Sequence, residues 1–189
     1  SDRGSDSFTI PVDFILQPGA YVLLGHNADS TINGGVVLDI VYTDFGLANS
    51  ADEIVLSAPN GSEVDSVAWD NQTLLGQSLK LQTGHSIERS TLSDPTQWVI
   101  GSSPWLGSAG DSGTPGSAWQ PPIATLTPTT TTTLSPTLTP TFGPLPKLFL
   151  SEFLADPKAV SDTVGEWIEL YNGGDAPINL RGWRIADLG

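Results

Sequence analysis

The chain has 189 residues, a formal net charge of −14, and neither cysteine nor methionine. The negative charge argues against a role on nucleic acid or an anionic membrane, because both select basic surfaces. Without cysteine there can be no disulfide, no thiol chemistry and no cysteine-ligated metal site. With no methionine at position 1, we expect a processed or excised chain. No apolar run approaches the roughly 20 residues that span a bilayer, so no membrane insertion is expected.

Short strand-like runs separated by turns fill the first hundred or so residues. Pro18-Gly19 is a turn signal, and Asn60-Gly61 between two alternating runs predicts a β-hairpin. Short strands with turns about every eight to twelve residues are typical of a β-sandwich or small barrel. Strands are predicted at Phe8–Ile10, Ala20–Leu24, Val36–Tyr42, Glu53–Ala58, Glu63–Trp69, Ser86–Arg89 and Gln97–Ile100.

Residues 121–146 differ in kind from the rest of the chain. They read PPIATLTPTTTTTLSPTLTPTFGPLP and contain no charged residue. Such a Thr/Pro tract cannot bury enough apolar surface to fold, so an extended linker, partly polyproline II, is predicted. At about 3.1 Å per residue it could reach roughly 80 Å. It is either an unmodified spacer or, in a secreted chain, a carrier of O-linked glycans at Thr129, Thr130, Thr131, Thr132 and Thr133.

The segment from Lys147 onward starts β structure again. Strands are predicted at Leu148–Leu154, Glu166–Tyr171 and Gly182–Ala186. Three strands alone would leave an apolar face uncovered, and unpaired sheet edges invite pairing with other chains. The predicted core of this half-domain comprises Phe153, Ile168, Leu170 and Leu180.

Three motifs in this segment carry a family resemblance. Leu150–Pro157 (LSEFLADP), Gly165–Asn172 (GEWIELYN) and the Leu-x-Gly-Trp pattern that ends at Trp183 resemble the opening half of a lamin tail domain. Phe8–Pro11, Leu16–Leu23 and several later motifs up to Thr114-Pro115-Gly116 resemble its closing half. The resemblance implies an immunoglobulin-like β-sandwich of the kind found, often beside Thr/Pro-rich linkers, in secreted and surface proteins of bacteria and archaea.

The two halves stand in reversed order. We therefore expect residues 1–120 to be the C-terminal part of the sandwich, 121–146 the linker, and 147–189 the N-terminal part. Reading the end of the chain into its beginning gives a plausible strand, turn and strand. The predicted assembly seam consists of Trp183, Ile185, Leu188, Gly189, Ser1, Phe8 and Ile10.

Three arrangements satisfy this reading. The chain is one period of a longer protein of tandem domains, or a subunit whose trailing half completes the next subunit, or a circular permutant that closes within one chain. The first two generate a fibre, because a head-to-tail contact that does not close on itself propagates.

Catalytic signals are weak. The only histidines, His26 and His85, lack a nucleophile at a motif-like spacing and are interpreted as surface residues. Glu152, Glu166 and Glu169 could suggest a glycosidase pair, but strand-edge or hydrogen-bonded structural carboxylates are favoured. No cofactor is expected.

Ligand signals are also weak. Asp2, Asp6 and Asp187 would converge at the seam and are candidate Ca²⁺ ligands, although no Asp-x-Asp-x-Asp-Gly loop exists. Trp167 and Trp183 are interpreted as packing residues. Trp105 and Trp119, in Gly/Ser-rich surroundings, are freer to bind sugar or to dock the linker onto the domain. Asn60-Gly61-Ser62 and Asn71-Gln72-Thr73 are N-glycosylation sequons.

The sequence thus predicts a non-enzymatic, extracellular or cell-surface structural subunit. It would assemble with copies of itself into a filament, through complementary half-domains or tandem domains. The alternative is a surface-binding or adhesion module, with glycans among its possible ligands, attached to a secreted enzyme or adhesin.

Overall fold

A computed structural model describes residues 6–91, 94, 96–120 and 148–187. The strands in chain order are β1 (Ser7–Thr9), β2 (Ile15–Leu16), β3 (Tyr21–Gly25), β4 (Ile40–Val41), β5 (Asp52–Ser57), β6 (Glu63–Trp69), β7 (Ile87–Arg89), β8 (Trp98–Ile100), β9 (Leu148–Leu154), β10 (Trp167–Asn172), β11 (Ile178–Asn179) and β12 (Arg184–Ala186). One helical turn, α1 (Asp162–Gly165), precedes β10.

Both predicted turns form as their residues require. Gly19 takes a φ of +73°, and the N–H of Ala20 donates to the carbonyl of Gln17 at 3.1 Å. Gly61 takes a φ of +84°, a conformation that glycine adopts without the steric cost of a Cβ. This second turn joins β5 to β6 as an antiparallel hairpin, as predicted.

The strands form two main sheets. One has four strands in the order β1-β12-β5-β6, and the other has six in the order β4-β3-β10-β9-β7-β8. All pairs are antiparallel except β3 with β4. β2 and β11 make a small separate ribbon. The all-β sandwich expected from the sequence is confirmed.

The main core lies between the two sheets. It draws on both ends of the chain: Leu24, Leu56 and Val67 from the leading residues pack with Phe153 and Ile168 from the trailing ones. Burying each such side chain stabilises the fold by about 1.5–3 kcal/mol. Trp69 stacks on Phe153 with ring centroids 4.8 Å apart. The trailing segment is therefore part of the same core as residues 6–120.

Two details of the strand prediction were wrong. Of the predicted run Val36–Tyr42, only Ile40–Val41 is a strand, because the Asn33 side chain takes both backbone groups of Val36, with bonds of 2.8 and 3.0 Å. Of the two alternatives for Glu152 and Glu169, strand-edge or hydrogen-bonded structural carboxylates, the strand-edge one was wrong and the hydrogen-bonded one is confirmed. Their strands, β9 and β10, have neighbours on both sides.

Candidate functional site

Strand β12 is the contact between the two ends of the chain. It lies between β1 and β5, with Ile185 opposite Phe8 on one side and Leu56 on the other. The N–H of Ile10 donates to the carbonyl of Trp183 at 2.8 Å, and the N–H of Asp187 to the carbonyl of Asp6 at 2.9 Å. These contacts bring the two described ends of the chain side by side.

Part of the predicted seam lies in this contact. Ile185 and Ile10 are buried, and Phe8 and Trp183 pack partly buried against the core. Leu188, Gly189 and Ser1 lie outside the described residues. The role of these residues in assembly stays a prediction.

The trailing segment is also central in the larger sheet. β10 pairs with β3 over five residue pairs, and β9 pairs with β7 at Phe153–Ile87 and Glu152–Glu88. The four residues predicted as the half-domain core are all fully buried: Phe153, Ile168, Leu170 and Leu180. Without residues 148–187, β3 and β7 would lose the strands that join them.

Asn172, at the end of β10, ties the two parts of the chain together. Its buried amide donates to the carbonyls of Leu16 and Ala176, each at 2.9 Å. Its own carbonyl oxygen accepts from the N–H of Gly174 at 3.0 Å. One side chain thus bonds three backbone groups, of which the Leu16 carbonyl is buried and would otherwise lack this donor.

A buried ion pair crosses between the sheets. Nη2 of Arg89 on β7 lies 2.5 Å from Oδ2 of Asp65 on β6. The same carboxylate accepts from the N–H of Leu150, and Nε of Arg89 donates to the carbonyl of Leu150. The guanidinium lies 4.5 Å from the ring centroid of Trp98, a cation–π distance. Burial raises the pKa of Asp65 and lowers that of Arg89, while each partner opposes the other's shift.

Three buried glutamates form a row across neighbouring strands of the larger sheet. Glu88 on β7 pairs with Glu152 on β9, and Glu152 pairs with Glu169 on β10. None is more than 1% exposed. The chain around Thr114 and Gly116 covers the row, and we call residues 112–118 the covering segment.

Neutral donors satisfy this glutamate row. The Thr114 N–H donates to Oε1 of Glu152 at 2.8 Å, and the Gly116 N–H donates to Oε2 of Glu169 at 2.5 Å. The Thr114 hydroxyl lies 2.9 Å from Oε2 of Glu88 and 3.1 Å from Oε2 of Glu152. The single hydroxyl hydrogen is shared between two carboxyl groups, and a proton on either carboxyl would supply the second bond.

The surroundings of the row favour the protonated form. Burial raises the pKa of Glu169 to about 8. Burial, followed by repulsion from Glu88 and Glu169, raises the pKa of Glu152 well above its usual value. Burial also raises the pKa of Glu88. The row is therefore a proton-binding structural element that fixes the covering segment to the sheet.

Neither histidine is a simple surface residue, so that interpretation was wrong. Nε2 of His26 lies 3.3 Å from Oε2 of Glu166, and its side chain is 19% exposed. The same carboxylate oxygen accepts from the N–H of Leu47 at 3.1 Å. Nδ1 of His85 lies 2.7 Å from the carbonyl oxygen of Gly101. Burial raises the pKa of Glu166. The contacts of His26 and His85 hold loop segments in place.

No site for a metal ion emerges among the described residues, where no group of three His, Cys, Asp or Glu side chains is suitably placed. Of the Ca²⁺ candidates, Asp6 and Asp187 meet through a backbone hydrogen bond, and Asp2 lies outside the described residues. Within the same residues, no helix is long and apolar enough to cross a membrane.

The tryptophans do not form an exposed platform. Trp69, Trp98 and Trp167 are buried, while Trp105, Trp119 and Trp183 are half-buried. Both sequon asparagines, Asn60 and Asn71, are exposed. The candidate O-glycosylation sites Thr129–Thr133 lie outside the described residues.

Sequence reasoning identified Glu152 and Glu169 as structural carboxylates but missed Glu88 as their partner. It also missed the Arg89–Asp65 pair. The available signal was a single charged residue in the middle of each apolar run, in Leu148–Leu154 and in Trp167–Asn172. Charged residues are almost never fully buried unless they are paired, so such positions indicate a buried polar network.

The architecture is that of an immunoglobulin-like β-sandwich with buried polar networks between its sheets and beneath its covering segment. The family model of the Lamin Tail Domain matches residues 144–189, the segment whose motifs carried that resemblance in the sequence. This is a family of non-enzymatic, immunoglobulin-like domains. No curated protein and no solved structure matches the chain.

Proposed function

We propose that the protein is a structural repeating subunit of an extracellular or cell-surface filament. Its units join head to tail, either because the trailing half of one copy completes the leading half of the next, or because the domains follow one another in tandem. The filament-forming contact is the pairing of β12 with β1 and β5, and of β9 and β10 with β7 and β3.

One observation carries this proposal: residues 148–187 supply central strands to both sheets. β12 has a neighbour on each side in the smaller sheet, and β9 with β10 occupy the middle of the larger one. An element so placed is obligatory, because its removal exposes two unpaired strand edges in each sheet and opens the core. Any copy of the segment with the same sequence can fill the same gap.

The linker makes an exchange between copies geometrically accessible. Residues 121–146 could extend over roughly 80 Å as polyproline II, well beyond the diameter of a small domain. The contacts made in cis and in trans are identical, as in domain swapping. The local concentration of trailing segments then determines whether the leading half binds the segment of its own chain or that of another copy. A chain that gives its trailing segment to one neighbour and accepts that of another forms an open series.

A structural role also agrees with the chemistry of the polar groups. The buried carboxylates accept hydrogen bonds from backbone and hydroxyl donors of the fold, and the covering segment encloses the glutamate row. The net charge of −14 keeps units soluble and apart except where specific pairing occurs.

Cysteine cross-linking tests this proposal directly, since the native chain has no cysteine. Thr9 and Arg184 are exposed and face each other across the seam. Under oxidation, a chain carrying both Thr9→Cys and Arg184→Cys should give a ladder of covalent oligomers at high protein concentration. Mixing the two single variants should give covalent heterodimers. Thr9→Cys combined with Lys80→Cys is the matched control and should give no ladder.

Size-exclusion chromatography with light scattering and negative-stain microscopy should show the corresponding polymers without cross-linking. Exclusively intrachain cross-links at every concentration, together with a native polypeptide whose mass fits a single unit, would contradict the proposal. A native polypeptide containing several units would establish the tandem form.

A further inference from the structure

An apolar groove lies on the outer face of the larger sheet, away from the main core. Two residues that line it, Leu23 and Val36, belong to a second apolar cluster with Leu154 and Trp167, and Trp105 packs against this cluster. The groove has a volume of about 390 Å³. It is lined by Leu23, Gly35, Val36, Val37, Trp105, Leu106, Pro115 and Gly116.

The groove is held in shape by its own contacts. The indole N–H of Trp105 donates to the carbonyl of Gly34 at 3.0 Å, and its ring stands edge-on to Trp167 at 6.1 Å. Gly35 has a φ of +83°, and a Cβ there would lie 2.5 Å from the backbone of Gly107. Two loops therefore meet backbone to backbone at one side of the groove.

The groove exposes apolar side chains that do not pack into the main core. Leu106 is 98% exposed and Val37 is 75% exposed, the two highest values among the large hydrophobic residues described. None of the lining residues is charged, although the chain carries a net charge of −14. Such a surface selects an uncharged apolar ligand.

The chain contains a segment with that chemistry next to the groove. Gly116 lines the groove, and the continuous described chain stops four residues later at Gln120. The following residues 121–146 have no charge and repeat a Leu-Thr/Ser-Pro triplet at Leu126–Pro128, Leu134–Pro136 and Leu138–Pro140. Aromatic-lined grooves bind proline-bearing segments because these lose little conformational freedom on binding.

We propose that this groove binds the linker of its own chain through Leu126-Thr127-Pro128, with Leu126 between Leu106 and Val37 and Pro128 against Trp105. Ten residues separate Gly116 from Leu126, enough to reach roughly 33 Å when extended and so to turn back over the groove. Tethering of this kind gives an effective concentration in the millimolar range, which favours the chain's own linker over that of a neighbour. Docking would fix the direction in which the linker leaves the domain.

Paramagnetic NMR of the full chain tests the docking. A spin label on Thr129→Cys should broaden the Leu106 amide and Trp105 indole signals, at protein concentrations where the chain is monomeric. Leu126→Asp should lower the bound fraction relative to the free one by about tenfold, the effect of losing one buried leucine. Leu138→Asp is the matched linker control and should leave the broadening unchanged.

Leu106→Asp should lower the bound fraction as much as Leu126→Asp does. Because Leu106 is almost fully exposed, its substitution leaves the fold intact. Val12→Asp, a half-exposed apolar residue elsewhere, is the control and should change nothing. Three outcomes would overturn the proposal. In the first, Leu126→Asp leaves the broadening unchanged. In the second, the broadening appears only when a spin-labelled chain is mixed with a separate isotope-labelled chain. In the third, the linker has no effect and an added oligosaccharide shifts the Trp105 signal instead.

Discussion

Glu88 and Glu152 lie directly opposite each other on adjacent strands, both buried, with the Thr114 hydroxyl between their carboxyl groups. Like charges directly opposite on neighbouring strands destabilise a sheet. Burial raises the pKa of Glu88, Glu152 and Glu169, which favours protonated carboxyls and reduces this repulsion. The stability of the fold should therefore depend on pH.

The first prediction is that stability falls as pH rises from about 5 to 8. Glu169 has a usual pKa of 4.5, raised by burial to about 8 in the folded protein. The folded state therefore holds more protons than the unfolded state in this interval, and the free energy of unfolding decreases with pH. At about 1.4 kcal/mol per pKa unit, the loss is on the order of a few kcal/mol. Urea unfolding at pH 5, 6.5 and 8 measures it.

Glu169→Gln should flatten this pH dependence, because the amide cannot ionise. Glu63→Gln, at an exposed position on the other sheet, is the control and should leave the slope unchanged. Hydrogen bonds lower the pKa values of Asp29, Asp70 and Asp94, so the contributions of these carboxylates to stability change only below this interval. Equal slopes for Glu169→Gln and the wild type would mean that Glu169 is already ionised in the fold.

The second prediction concerns the ion pair between the sheets. Arg89→Met should destabilise the protein by about 3–5 kcal/mol, because it leaves the Asp65 carboxylate buried without its charge partner. Asp65→Asn combined with Arg89→Met should recover part of this loss, and a double-mutant cycle from urea unfolding gives the coupling energy. Strict additivity of the two changes would show that the pair is not coupled. Arg181→Met, at an exposed pair with Asp13, should cost less than about 1 kcal/mol.

The third prediction concerns the fit of the covering segment. A Cβ on Gly113 would lie 2.5 Å from Oε1 of Glu152 and 2.7 Å from Oγ of Ser86. Gly113→Ala should therefore destabilise the fold by about 1–3 kcal/mol and loosen the segment from the glutamate row. Hydrogen exchange at the Thr114 and Gly116 amides, which donate to the row, should accelerate. Ser78→Ala, at an exposed position outside the covering segment, is the control and should leave both amides as protected as before.

The fourth prediction concerns Asn172. Asn172→Ala should cost about 1–3 kcal/mol, because it leaves the buried carbonyl of Leu16 without its donor and removes the bond to the carbonyl of the exposed Ala176. Asn179→Ala, which removes exposed contacts of the same residue type, should cost under about 1 kcal/mol. Thermal or urea unfolding of both variants compares them. Similar costs for the two would show that water replaces the Asn172 amide.

The sequence predicted the strands that have their own turns or a continuous apolar run. The hairpin at Asn60-Gly61 and the run Leu148–Leu154 were placed correctly because local chemistry determines both. Val36–Tyr42 was misassigned because a side chain from a preceding loop, Asn33, competes for the backbone groups of Val36. That competition depends on loop geometry, which strand propensity does not describe.

The candidate site was predictable only in part. The pairing of a trailing end with a leading end followed from counting strands that lacked neighbours, although the count left open whether both ends belong to one copy. The glutamate row did not, because a carboxylate in a strand is ambiguous until its cross-strand partner is known. Glu88 and Glu152 are separated by the entire linker, and their register depends on tertiary pairing.

The central position of β9, β10 and β12 has a consequence during synthesis. Contacts such as that of Asp13 with Arg181 span 168 residues. Folding that depends on such distant pairs is slow, because the chain loses the entropy of loop closure before the new contacts stabilise it. A ribosome making about 5–20 residues per second releases residues 6–120 well before the strands that complete them. Until residues 148–187 have emerged, the strands β1, β3, β5 and β7 lack these partners from their own chain and present bare edges.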